Sequence, residues 1–141
     1  MDNDQIVSRM NTYLHTSANV LAEWLGKLLP RTSEDWWEDC VIAKLSYNQA
    51  EMARERGFTE LGQFDLAALL RIADKSWYEM RNVAFLPTSE RECIRDMMRV
   101  RNNWAHVGAM LPGKDAILAD LDTLHQFFEQ RECDDSLVNE V

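Results

Sequence analysis

Apolar side chains recur every three to four positions along most of this chain, and only a few prolines and glycines interrupt them. The breaks fall at Pro30, at Gly57 with Gly62, at Pro87 and at Pro112-Gly113, and they divide the chain into five segments of helical period. The first spans about Asp4 to Leu28, with Ile6, Met10, Tyr13, Leu14, Leu21, Trp24, Leu25 and Leu28 on one side. The second starts after Thr32-Ser33, carries Trp36, Trp37, Cys40, Val41 and Leu45, and ends near Arg56 with Gly57 as its C-cap. The third runs from Asp65, a good N-cap, to about Val83, and buries Leu66, Leu69, Leu70, Ala73, Trp77 and Met80. The fourth opens on Ser89-Glu90-Arg91-Glu92, which fits a capping box, and reaches about His106. The fifth covers about Asp115 to Glu129, with Ile117, Leu118, Leu121, Leu124, Phe127 and Phe128 inward. No segment alternates as a strand does. The pattern therefore predicts an all-α, antiparallel bundle of four to five helices.

A chain of 141 residues suits one domain with one core. We assign residues 1–131 to it and expect the acidic tail 132–141 to fray into solvent. No apolar run approaches the roughly 18 residues needed to cross a bilayer. The start, MDNDQIVSRM, is acidic and amphipathic rather than signal-like, so an intracellular, cytoplasmic protein is expected. Cys40, Cys93 and Cys133 are odd in number and far apart, which suits free structural thiols.

Net charge is −9, which opposes tight binding to nucleic acid over the whole surface. The charge is uneven, however. Residues 71–101 hold seven Lys/Arg against five Asp/Glu, so one basic segment sits in an acidic body and can hold a phosphate chain locally.

Most candidate chemistry is weak. His15, His106 and His125 are far apart, and neither HExxH nor paired-cysteine spacing occurs, so no metal and no cofactor is expected. His15 and His125 read as boundary or partly exposed structural histidines. Trp24, Trp36, Trp37 and Trp77 read as core. The fourth helix is different. Arg95, Arg99, Asn102 and His106 fall on one narrow stripe, a basic face for RNA phosphates. Arg101 projects instead with Ile94, Met97, Met98 and Ala105. An Arg on an apolar side needs a carboxylate, a subunit interface or a phosphate. Arg101, Asn102 and His106 together supply a cation, an amide and a group that titrates near neutral pH. That set suits metal-free cleavage of RNA by attack of the ribose 2′-OH, with the guanidinium stabilising the charged phosphorus centre. One copy supplies a single such His, and two-fold pairing would supply two.

The stretch Arg101-Asn102-Asn103-Trp104-Ala105-His106 resembles the R-x(4–6)-H signature of the HEPN superfamily, with its frequent polar residue after Arg. WWEDCVIAKLSYNQ, FDLAALLRIADKSW and MMRVRNNWAH, in that order, extend the likeness over roughly residues 30–128. They are most similar to the branch shared by a yeast nuclear RNA quality-control endoribonuclease and by prokaryotic domains attached to helicases and phage-defence ATPases. The resemblance implies an all-α endoribonuclease that works as a homodimer through the fourth helix. Its role would lie in phage defence, toxin action or RNA quality control, with a fused or associated helicase or ATPase. Arg101 would contact the scissile phosphate, His106 would act as acid or base, and Asn102 would orient one of them. Trp104 and Ala105 would be packing residues. In a straight helix Arg101 and His106 lie about 140° apart, so the His is expected at or beyond the helix end, before Gly108. The second reading from another class is a non-catalytic HEPN module that dimerises or binds nucleic acid for a larger protein.

Overall fold

Helix capping is written plainly at the N-terminus. The Asp2 carboxylate accepts from the Gln5 N–H, and the Gln5 side chain accepts from the Asp2 N–H, so α1 starts at Asn3 and runs to Leu28. The computed structural model describes residues 2–105 and 111–140, with side chains as far as Glu132. After α1 come α2 (Tyr47–Glu55), α3 (Leu66–Lys75), α4 (Trp77–Arg81), α5 (Thr88–Ala105) and α6 (Lys114–Glu140). No strand occurs among the described residues. The protein is an all-α bundle.

The second expected helix is two elements. Trp37–Val41 forms a π-helical turn and Ile42–Lys44 a 3-10 turn, and the chain then extends at Leu45 before α2. Ser46 restarts it. Its hydroxyl accepts from the Gln49 N–H at 3.2 Å while Gln49 accepts from the Ser46 N–H at 3.0 Å. That reciprocal pair fixes a helix start inside what looked like a continuous apolar stripe. Gly57 ends α2 as expected. At φ +66 it is the only positive-φ residue described, and the Gly57 and Phe58 N–H groups fold back onto Arg54 and Ala53 carbonyls.

The third segment also breaks, at Ser76. This fully buried residue gives its hydroxyl proton to the Cys40 carbonyl at 2.8 Å, joining the π turn to the α3–α4 junction. Asp65 caps α3 as expected, accepting from the Ala68 N–H at 2.9 Å. α5 opens at Thr88, one residue before the expected cap, so Ser89 lies within its first turn. α6 continues well past the expected Glu129 to Glu140.

Four helices, α1, α3, α5 and α6, surround the core. Leu21, Trp24, Leu25, Leu69, Leu70, Met97, Val100 and Phe127 are all withdrawn from water. Each such side chain contributes about 1.5–3 kcal/mol of transfer free energy. Cross-helix pairs fix the directions. On α5 and α6, Trp104 pairs with Asp120 and Glu90 with Arg131, so the two helices run antiparallel. Asp74 late in α3 meets Arg91 and Arg95 early in α5, and these run antiparallel too. The apolar side of α6 is narrower than its sequence suggests. Leu124 and Phe127 are buried, but Leu118 and Leu121 are 53% and 37% exposed. Cys40 and Cys93 are free, buried thiols, and Cys133 lies outside the described side chains. Among the described residues no helix is long and apolar enough to cross a membrane.

Candidate functional site

The buried stripe of α5 is Cys93, Ile94, Met97, Val100 and Trp104. By helical angle Arg101 lies between Ile94 and Met97, about 20° from the first and about 40° from the second, on the apolar side of α5. Of its expected neighbours Ile94 and Met97 are buried, Met98 is half-buried, and Ala105 is exposed. Arg101 itself is half-buried. Its guanidinium donates to the Asn102 side-chain oxygen at 3.2 Å, and no carboxylate among the described residues pairs with it. Asn102 is exposed beside it. His106, the third expected catalytic residue, and Gly108 lie outside the described residues.

Arg101 borders two grooves. One, of about 380 Å³, lies against α2 and α3 and is lined by Ser46, Gln49, Arg71, Lys75, Met98 and Asn102 as well as Arg101. The other, of about 470 Å³, lies against α1 and the Gly62–Leu66 turn, and there Arg101 is joined by His15 and Trp104. Arg101 is the one lining residue that the two grooves share.

The first groove is cationic for a definite reason. Asp74, nearly buried, is held by two arginines: Arg91 Nε at 3.0 Å and Arg95 Nε at 2.9 Å from the same oxygen. Burial alone would raise the Asp74 carboxyl. The hydrogen bonds and charges of Arg91 and Arg95 outweigh it and hold the group below its ordinary value. Two guanidiniums on one carboxylate leave one unit of positive charge, beside Lys75 and Arg71, whose Nε donates to the Lys44 carbonyl at 2.8 Å. Arg95 is thus tied to Asp74, and Arg99 pairs with Asp96 at 3.2 Å on an exposed part of α5. Both expected RNA contacts are therefore partly engaged within the chain.

Trp104, within the motif, is anchored. The buried Trp104 indole donates from Nε1 to Asp120 at 2.8 Å. His15 is exposed on α1 and lines the second groove, whereas His125 is exposed on α6 beside Glu129, away from both grooves. Sequence reasoning set His15 aside and did not consider Asn11 and Asn19. Their spacing of four was the available signal, because it puts all three on one stripe of α1. Among the described residues no three His, Cys, Asp or Glu side chains converge as metal ligands do.

With this geometry in place, the sequence comparison decides the family. The family profile described as Swt1-like HEPN matches residues 12–130, most of the chain. The chain belongs to the Swt1-like HEPN family. No curated protein and no solved structure matches it. HEPN domains are typically RNases or nucleic-acid-binding modules, and they often dimerise. The match takes in α3, α5, the first Arg101 groove, all of the second but Asn11, and most of α6.

Proposed function

We propose that this HEPN domain is a metal-independent endoribonuclease whose catalytic residues are Arg101, Asn102 and His106. The observation that carries the reading is the Arg101 guanidinium. It is half-buried at the junction of two grooves and has no carboxylate partner among the described residues. A cation so placed is stabilised by an anionic ligand, and a phosphodiester presents two oxygens to its fork. Asn102 accepts from the guanidinium and holds its orientation.

The reaction needs no group beyond these residue types. One imidazole takes the proton of the ribose 2′-OH as the O2′–P bond forms. An imidazolium gives a proton to O5′ as the P–O5′ bond breaks. Arg101 stabilises the charge that builds on the non-bridging oxygens. A homodimer paired through α5 supplies His106 twice, once for each proton transfer. Arg95 and Arg99 extend the phosphate contacts along α5. Phage defence, toxin action or RNA quality control is the setting, with an associated helicase or ATPase as partner.

The test is incubation of the purified chain with single-stranded RNA in excess chelator. The expected products carry 2′,3′-cyclic phosphate and 5′-hydroxyl ends, and both Arg101→Ala and His106→Ala abolish them. Cleavage that survives His106→Ala overturns the assignment. Binding without cleavage by the wild type supports the non-catalytic module instead.

A further inference from the structure

The second groove holds more than Arg101. On α1, Asn11, His15 and Asn19 follow one another at intervals of four residues, so they stand about 6 Å apart along the helix axis. The opposite wall is the turn bearing Gln63, and buried Phe64 and Trp104 contribute apolar surface to the lining. The side chains of Asn11, His15 and Asn19 make no hydrogen bond to other described residues, so their polar atoms are open to a ligand or water. Gln63 is half committed. Its side-chain oxygen accepts from the Thr59 and Glu60 N–H groups at 2.8 and 2.9 Å, which leaves its NH2 to donate. A volume of about 470 Å³ is within the range of about 300–1,000 Å³ typical of small-ligand sites.

This lining differs in kind from that of the first groove, where Arg71 and Lys75 join Arg101 and suit phosphate. Besides Arg101 and the Asp65 carboxylate, one oxygen of which caps α3, the α1 groove has amides, one imidazole and apolar surface. Those are the groups that read unpaired bases. Amides hydrogen-bond base edges, and flat rings stack on base faces. Side-chain amides pair in bidentate fashion with adenine more readily than with other bases.

We propose that the α1 groove is a base-reading track for single-stranded RNA. It holds the nucleotides that flank the phosphate at Arg101, and its Asn11 and Asn19 amides favour adenine. The inference rests on the reading of Arg101 as a phosphate contact. It adds a second functional face, on a helix outside the R-x(4–6)-H motif, that sets which sequence is engaged.

The experiment measures equilibrium binding of the full chain to labelled oligo(A), oligo(U) and oligo(C). A 2′-fluorine replaces the attacking hydroxyl, so the RNA is not consumed. Wild type is expected to bind oligo(A) tightest. The double variant Asn11→Ala/Asn19→Ala, with an unchanged circular dichroism spectrum, is expected to lose about tenfold on oligo(A) and to bind all three alike. Arg101→Ala should weaken all three to the same degree, which separates the two readings. If Arg101→Ala has that effect but the double variant keeps the wild-type ranking, the base-reading track is wrong and the phosphate contact stands. If the wild type binds none of the three, both fail. A lower solution mass for the double variant assigns the groove to a second copy of the chain and overturns the proposal.

Discussion

The indole Nε1 of Trp104 donates to Asp120 Oδ2 at 2.8 Å, with both residues buried, and so ties the motif end of α5 to the start of α6. Trp104 lies inside the R-x(4–6)-H stretch and lines the second groove beside Arg101, three residues earlier. Trp104→Phe leaves the Asp120 carboxylate buried without its donor. We expect a loss of about 1–3 kcal/mol in urea unfolding, together with a fall in RNA cleavage. A variant as stable as wild type would show that the bond adds nothing.

The far end of α5 is held by a different device. Arg131 of α6, 1% exposed, has its guanidinium 3.9 Å from the Trp24 ring centre and 3.4 Å from Glu90 Oε1. Truncating either ion takes an opposite charge away from the other, which is buried. Glu90→Ala should therefore cost about 3–5 kcal/mol, while Glu90 and Arg131 replaced together by Leu and Met should recover much of it. Equal unfolding midpoints for the single and double variants would refute the coupling.

Acid sensitivity should concentrate on two carboxylates. Asp74 is held below its ordinary 3.8 by Arg91 and Arg95 against the opposing effect of burial. Glu79 is held below 4.5 by Lys44, 2.9 Å away, again against burial. A lowered folded value means that each stabilises the fold fully above its unfolded value and loses that contribution as pH falls from there through the folded value. The advantage of wild type over Asp74→Asn should thus be constant from pH 7 to about pH 5 and shrink below about pH 4. Thermal melts across that range test it. An advantage that grew on acidification would contradict the sign.

Cys93 should be inert. Burial pushes its thiol up to about 11, so almost no thiolate forms at neutral pH. Iodoacetamide at pH 8 is expected to leave Cys93 and Cys40 unmodified in the folded chain and to label both in urea, as peptide mass mapping will show. Rapid native labelling of Cys93 would mean that α5 and α6 open locally.

Arg101→Lys keeps the charge but replaces a planar fork with a point charge. RNA binding should fall only a few-fold, whereas cleavage should fall by about a hundredfold or more. Measuring both on one RNA separates phosphate attraction from transition-state stabilisation.

Much of the architecture was visible in the sequence because helical period is local. The stripe Leu66, Leu69, Leu70, Ala73, Trp77 and Met80, along α3 and α4, is buried throughout. The break at Ser46 was missed because Cys40, Val41 and Leu45 continue an apolar rhythm across it. Yet Ser46-Tyr47-Asn48-Gln49 carries the Ser-x-x-Gln pattern that marks a helix start. Leu118 and Leu121 misled for the opposite reason. Periodicity says which residues could face a core, not where a neighbouring helix ends. At the site, Arg101 was singled out on burial logic and stands without a carboxylate. Arg95 read only as part of a basic face for RNA because its carboxylate partner, Asp74, is 21 residues away. Pairings between helices depend on register, which no local pattern encodes.

Because Arg91 and Arg95 share the Asp74 carboxylate, the fold should tolerate the loss of either. Either one alone still covers Asp74, so an alanine scan read by melting temperature passes over both. The same scan read by RNA affinity finds each of them, because losing either turns a cluster of charge +1 into a neutral pair. Mutational maps of stability and of ligand binding should therefore part company at these two positions, and their disagreement locates the surplus charge.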